Sequence, residues 1–157
     1  MTNKLFRFNL AAAAVACAAA VSSMSAGAAT PASCYTCSPQ CVPAAREWSG
    51  VNFPKVGYAR DIPAASRKAG FAVSTSPPAG RKSVGVIALG SVDHAIAITQ
   101  AKASGKVVNL VVSHANFDCK CGKETVSATF SGGKITFNGG ALKGRSIAAI
   151  AFVANPG

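Results

Sequence analysis

"VGVIALGSVDHAIAIT", residues 84–99, holds two runs of β-branched and small apolar residues on either side of a Gly90-Ser91 break. Such runs, bounded by turn residues, read as extended strands joined by a hairpin-like connection. The same texture recurs downstream in "VVNLVVS" (107–113), "TVSATF" (125–130), "KITFN" (134–138) and "SIAAIAFV" (146–153). Between them lie "KASGK", the cysteine-bearing "NFDCKCGKE", "SGG" and "GGALKG", where glycine meets the backbone demands of tight turns. The Ala/Ile run at 147–152 also fits a buried helix.

Upstream the period is helical. "CVPAAREWSG" (41–50) has Pro43 in a first turn, helix-favouring residues to Trp48 and a stop at Gly50. "RDIPAASRKAG" (60–70) offers Asp61 as N-cap, Pro63 in the first turn and Gly70 as terminator. The predicted architecture is α+β: N-terminal helices packed on one face of an antiparallel sheet of five to six strands.

The first 29 residues read as a signal peptide: Lys4 and Arg7 in a basic start, an apolar stretch too short to span a bilayer, and small residues at 25–29. Cys17 lies in this leader behind "AVA", without the Leu that a lipoprotein box carries three positions ahead. The expectation is an exported protein, periplasmic or extracellular, with no stable membrane insertion. Residues 30–40 form a lead-in and 41–157 one domain, a length that suits a single core.

The formal charge is +11, and +9 without Lys4 and Arg7. A basic surface attracts polyanions such as acidic envelope polymers. Nucleic acid is set aside, because the basic residues are scattered and no nucleic-acid-binding motif accompanies them. The five acidic residues form no Asp-rich loop of the kind hard cations require, which leaves a need for calcium open, and no cofactor is implied.

Beyond the leader stand Cys34, Cys37, Cys41, Cys119 and Cys121. An odd count in an oxidising compartment predicts two bridges and one spare thiol. Cys34, Cys37, Cys119 and Cys121 are the disulfide candidates, with connectivity open. Four thiolates on zinc are the alternative, although the one-residue spacing of "CKC" is tight for that metal, and no metal site is expected. Cys41 is the spare thiol. At a helix N-terminus, unpaired N–H groups and the helix dipole favour the thiolate and lower its pKa.

There are two histidines, His94 opening "HAIAIT" and His114 ending "VVNLVVSH", with Asn116 two residues on. Strand alternation lets His114 and Asn116 share a face. A thiol, an imidazole to take its proton and a polar group to fix the imidazole tautomer are what nucleophilic cysteine catalysis requires. Each residue also has an ordinary reading: a core histidine, a turn-forming Asn, an inert buried thiol.

"PQCVPAAREW", "GFAVSTSPPAGRKSVGVIAL", "DHAIAIT" and "VVSHANF" together resemble the CHAP domains, cysteine- and histidine-dependent amidohydrolases and peptidases of bacterial cell walls. The resemblance spans roughly residues 39–153. It implies a papain-like fold, Cys41 as nucleophile, His94 as general base, and His114 or Asn116 as the orienting group. It further implies an oxyanion site from the Cys41 N–H and Gln40. Departures are His114 where the family has Glu, Asp93 where it has Gly, and Val86 where it has Asp. The implied activity is cleavage of a peptidoglycan amide, lactyl-alanine or stem-peptide, through a thioester and by a monomer. The alternatives are a catalytically silent module of the envelope, or a disulfide-stapled protein with no site that dimerises through its surplus cysteine.

Overall fold

The computed structural model describes residues 40–117 and 120–157, with side chains from 122 onward in the second segment. The expected leader, the lead-in up to residue 39 and all four disulfide candidates lie outside the described residues or, for Cys121, have a side chain that does. No described helix is long and apolar enough to cross a membrane.

The chain order is α1 (Cys41–Ser49), α2 (Ile62–Lys68), β1 (Ala72–Ser74), β2 (Ser83–Leu89), β3 (Val92–Ser104), β4 (Val107–Phe117), β5 (Lys120–Ser131), β6 (Lys134–Phe137) and β7 (Ser146–Ala154), with single 3₁₀ turns at Ala59–Asp61 and Gly140–Leu142. The run at 147–152 is strand. The segment expected to be a cysteine-bearing loop is largely taken up by β4 and β5, with Phe117 opposite Lys120.

All strand pairs are antiparallel, in the order β1-β7-β2-β3-β4-β5-β6, and β6 also pairs with β7 through Lys134↔Ala148, Ile135↔Ile147 and Thr136↔Ser146. That last ladder closes β2 to β7 into a six-stranded barrel, with β1 added outside β7. This corrects the expected α+β papain-like arrangement of helices on a sheet: about half of the described residues are strand, and the two helices are short. The physical reason lies in the long strands and their bulges. Bulges bend and twist a strand, and they sit at Ile98/Gln100 between β3 and β4, at Ala115/Phe117 between β4 and β5, and at Val86/Ile87 between β2 and β7. Curled this way, the sheet brings its two ends into hydrogen-bonding register.

Two cores follow. Ile87, Ile96, Ile98, Leu110, Val112, Phe130, Ile135, Phe137 and Phe152 fill the barrel, with Phe130 and Phe152 edge to face at 5.3 Å. The neighbouring positions Val84, Val86, Ala95 and Val153 point outward and receive Val42, Ala45, Val51, Phe53 and Ile62 from the helical segment. The helices therefore cover one outer patch of a barrel that has its own interior.

Candidate active site

α1 starts where it does because Gln40 is extended (φ −70°, ψ 160°) and its carbonyl accepts the Ala44 N–H at 3.0 Å. It stops at Gly50, whose φ of 68° suits glycine and whose N–H reaches Glu47 O. Arg46 pins the exit by donating from Nε to Phe53 O at 2.8 Å and from its guanidinium to Asn52. The helix packs on β3 and β4. The β3–β4 ladder ends at Ala97↔Ser113, although both strands run on to Val92 and Phe117. The start of α1 lies against this stretch.

Cys41 is free and partly buried. Its thiol faces the backbone N–H groups of Ala95, Val42 and Cys41 itself, all of which favour the thiolate. Burial opposes them and is the larger effect, so the thiol is pushed above its usual value. The expected low-pKa thiolate is thus corrected: the helix N-terminus is present, but desolvation of the sulfur outweighs it.

His94 precedes the Ala95 whose amide faces the thiol. Its side chain lies on the inner face with Ile96 and Ile98, and it is 5 % exposed. Burial, with a smaller contribution from His114, pushes its pKa down to about 3, so the ring is neutral at physiological pH. His114, 2 % exposed, lies next to it with ring centroids 6.0 Å apart and planes at 76°. Phe117 contacts both rings, at 6.1 Å from His94 and 6.0 Å from His114, and Phe137 contacts His114 at 6.3 Å. The two imidazoles share an apolar, water-poor end of the barrel.

Asn116 departs from the expected alternation. Its φ of 58° is the only positive value among the described non-glycine residues, and it lies at the β4 bulge. Asparagine tolerates this left-handed conformation better than most residues. The extra residue puts Phe117 beside His114 and turns Asn116 toward the helix start, where its Nδ2 donates to Gln40 Oε1 at 2.8 Å. Gln40 thereby ties the end of β4 to the first residue of α1, which fixes the thiol's position relative to the barrel.

Glu124 was not anticipated from the sequence. It lies directly across from His114 in the β4–β5 ladder, with Oε2 at 3.1 Å from His114 Nε2. The Ala141 N–H approaches the same carboxylate, at 3.2 Å from Oε1 and 3.1 Å from Oε2. A β4–β5 hairpin register would have revealed it, since 114 and 124 are equidistant from Cys119. Burial lowers the pKa of His114, and Glu124 opposes the shift.

A groove of about 620 Å³ runs beside α1, lined by Val42, Pro43, Arg46, Asn52, Lys55 and Val56 among others. It begins one residue from the thiol, but neither Cys41 nor His94 lines it. No metal-binding cluster of His, Cys, Asp or Glu is found among the described residues. Comparisons with protein-family models, with curated proteins and with solved structures find no match to this chain.

Proposed function

We propose that the protein is an exported cysteine hydrolase that cleaves amide bonds in peptidoglycan, as an amidase or an endopeptidase. The observation that carries this reading is the seating of the Cys41 thiol, a free sulfur at a helix N-terminus, against the amide that follows His94. The motifs that resemble CHAP domains support it, and so does the basic charge, which suits anionic envelope polymers.

The chemistry follows from the groups present. Cys41 Sγ attacks the amide carbonyl carbon while His94 takes the thiol proton. The oxyanion forms near the Cys41 and Val42 N–H groups at the start of α1. The C–N bond breaks, His94 delivers its proton to the leaving amine, and a thioester remains. Water then attacks with His94 as base, releasing the carboxylate and restoring the thiol. The groove beside α1, lined by Arg46, Glu47 and Lys55, carries a net positive charge that suits the acidic part of a stem peptide.

A second reading has one specific observation behind it. Burial pushes the Cys41 thiol up and the His94 imidazole down to about 3, which leaves no ionised nucleophile at rest, as a silent envelope module would have. Digestion of peptidoglycan by the protein and by Cys41→Ser decides between them. Fragments that vanish in the variant, with new termini identified by mass, support the hydrolase and name the bond. No release from either protein across several pH values and wall types refutes it.

A further inference from the structure

The buried end of the barrel contains an anomaly. Among the described residues His94 Nε2 and both ring nitrogens of His114 are buried without a closed hydrogen bond, and the 3.1 Å approach of Glu124 to His114 Nε2 is not aligned as one. Buried polar atoms are nearly always satisfied, so a cluster of three calls for a reason. Among the described residues the titratable groups facing it are His94 from β3, His114 from β4, Glu124 from β5 and, beyond the wall of Phe117, Arg145 with its guanidinium 5.5 Å from that ring.

Glu124 is held as a built feature. Its carboxylate accepts the Ala141 N–H, and Gly140 leaves it room: a Cβ there would lie 2.4 Å from the carboxyl carbon. Gly140 also has a φ of 70°, so the backbone disfavours a side chain there, and a Cβ would displace the carboxylate. With the imidazole centroids 6.0 Å apart, two ring nitrogens can come no closer than about 3.6 Å, a small side-chain rotation outside hydrogen-bond range. Catalytic hydrogen bonds are often long in a resting site and tighten when substrate binds.

Resting on the hydrolase reading, we infer that Glu124 is a positioning residue that sets the tautomers of both histidines. Its carboxylate accepts Nε2–H of His114, which makes His114 Nδ1 the acceptor for Nε2–H of His94. His94 Nδ1 is then left as the base. No proton leaves the chain of groups. Glu124 orients, His114 transmits, and only His94 exchanges a proton with Cys41.

The two histidines make this directly observable by ¹⁵N NMR of histidine-labelled protein, with His94→Asn assigning the signals. The expected wild-type result is the Nε2–H tautomer at both residues. In Glu124→Gln, which keeps the shape and removes the charge, the preference of His114 for that tautomer falls at least about tenfold, and His94 becomes mixed. Glu124→Asp restores part of the preference. An Nδ1–H tautomer at His114 in the wild type, or spectra unchanged by Glu124→Gln, overturns the inference. If wild type releases peptidoglycan fragments, Glu124→Gln lowers kcat about 10- to 100-fold with KM nearly unchanged. Unaltered kcat also overturns the inference. Tautomers as expected in a protein that digests nothing remove the hydrolase reading and leave the positioning role of Glu124 standing.

Discussion

Acid should unfold this protein partly through His94, and the size of the effect can be worked out. The ring is 5 % exposed, and burial holds its pKa near 3, against 6.5 for an unperturbed histidine. Between those values the unfolded chain binds a proton that the folded chain refuses. Stability therefore rises with pH across the window and is lost as pH falls below 6.5. Over the whole window the loss approaches about 5 kcal/mol, and from pH 7.5 to pH 5 it is about 2 kcal/mol. The assay is urea unfolding at those two pH values for wild type and His94→Asn. The variant loses the packing of the ring against Phe117, so its absolute stability falls. The informative quantity is the difference in pH dependence, in which the carboxylates and His114 largely cancel. Wild type should lose about 2 kcal/mol more than the variant on acidification. Equal losses would mean that His94 titrates normally in the fold and that its buried position at the barrel end is wrong.

Two more predictions concern the other side of the site. Burial of Cys41 predicts slow alkylation by iodoacetamide at neutral pH, rising with an apparent pKa above 9.0. A rate profile with a midpoint near neutrality would refute the dominance of desolvation over the helix N-terminus. At Asn116, the left-handed backbone and the 2.8 Å bond to Gln40 can be separated. Asn116→Gly keeps the conformation and loses the bond, at a cost of about 1 kcal/mol, whereas Asn116→Ala adds backbone strain and costs about 2 kcal/mol. Equal melting temperatures for the two variants would show that the positive φ carries no strain.

Much of the local structure could be read from residue types, and most of the closure could not. Pro43 and Gly50 mark the ends of α1 whatever the helix packs on, and the β-branched runs mark β2 to β7. An open sheet under helices and a closed barrel demand the same period of two, however. Val84 and Val86 outward with Gly85 and Ile87 inward satisfies both. The deciding feature is three residue pairs between 134–136 and 146–148, which no local pattern encodes. Bulges hid two further facts. Asn116 breaks the alternation that would have placed it beside His114, and a loop reading of 116–124 left Glu124 without a partner, although the hairpin register sets it opposite His114. The chemistry of Cys41 was misjudged for a related reason. A helix N-terminus is visible in a sequence, while the barrel wall that desolvates the sulfur is a product of tertiary packing.

The same electrostatics that favour a silent module also specify what an active one must do. Burial pushes the Cys41 thiol above its usual value and holds the His94 imidazole down at about 3, so forming the thiolate–imidazolium pair from the resting site is uphill. The three unsatisfied ring nitrogens show where that cost can be reduced. Aligning Glu124 with His114, and His114 with His94, would stabilise the imidazolium as it forms, by hydrogen bonds made fully only on the way to the transition state. Substrate bound along α1 could drive that alignment through the Gln40–Asn116 tie, because Asn116 is two residues from His114 and lies at the bulge where β4 can rotate. A hydrolase built this way keeps its thiol protonated and slow to react with small reagents until a substrate spans the groove. Slow alkylation of Cys41 and wall digestion lost in Cys41→Ser would therefore be compatible results, and observing both would place the activation step after binding.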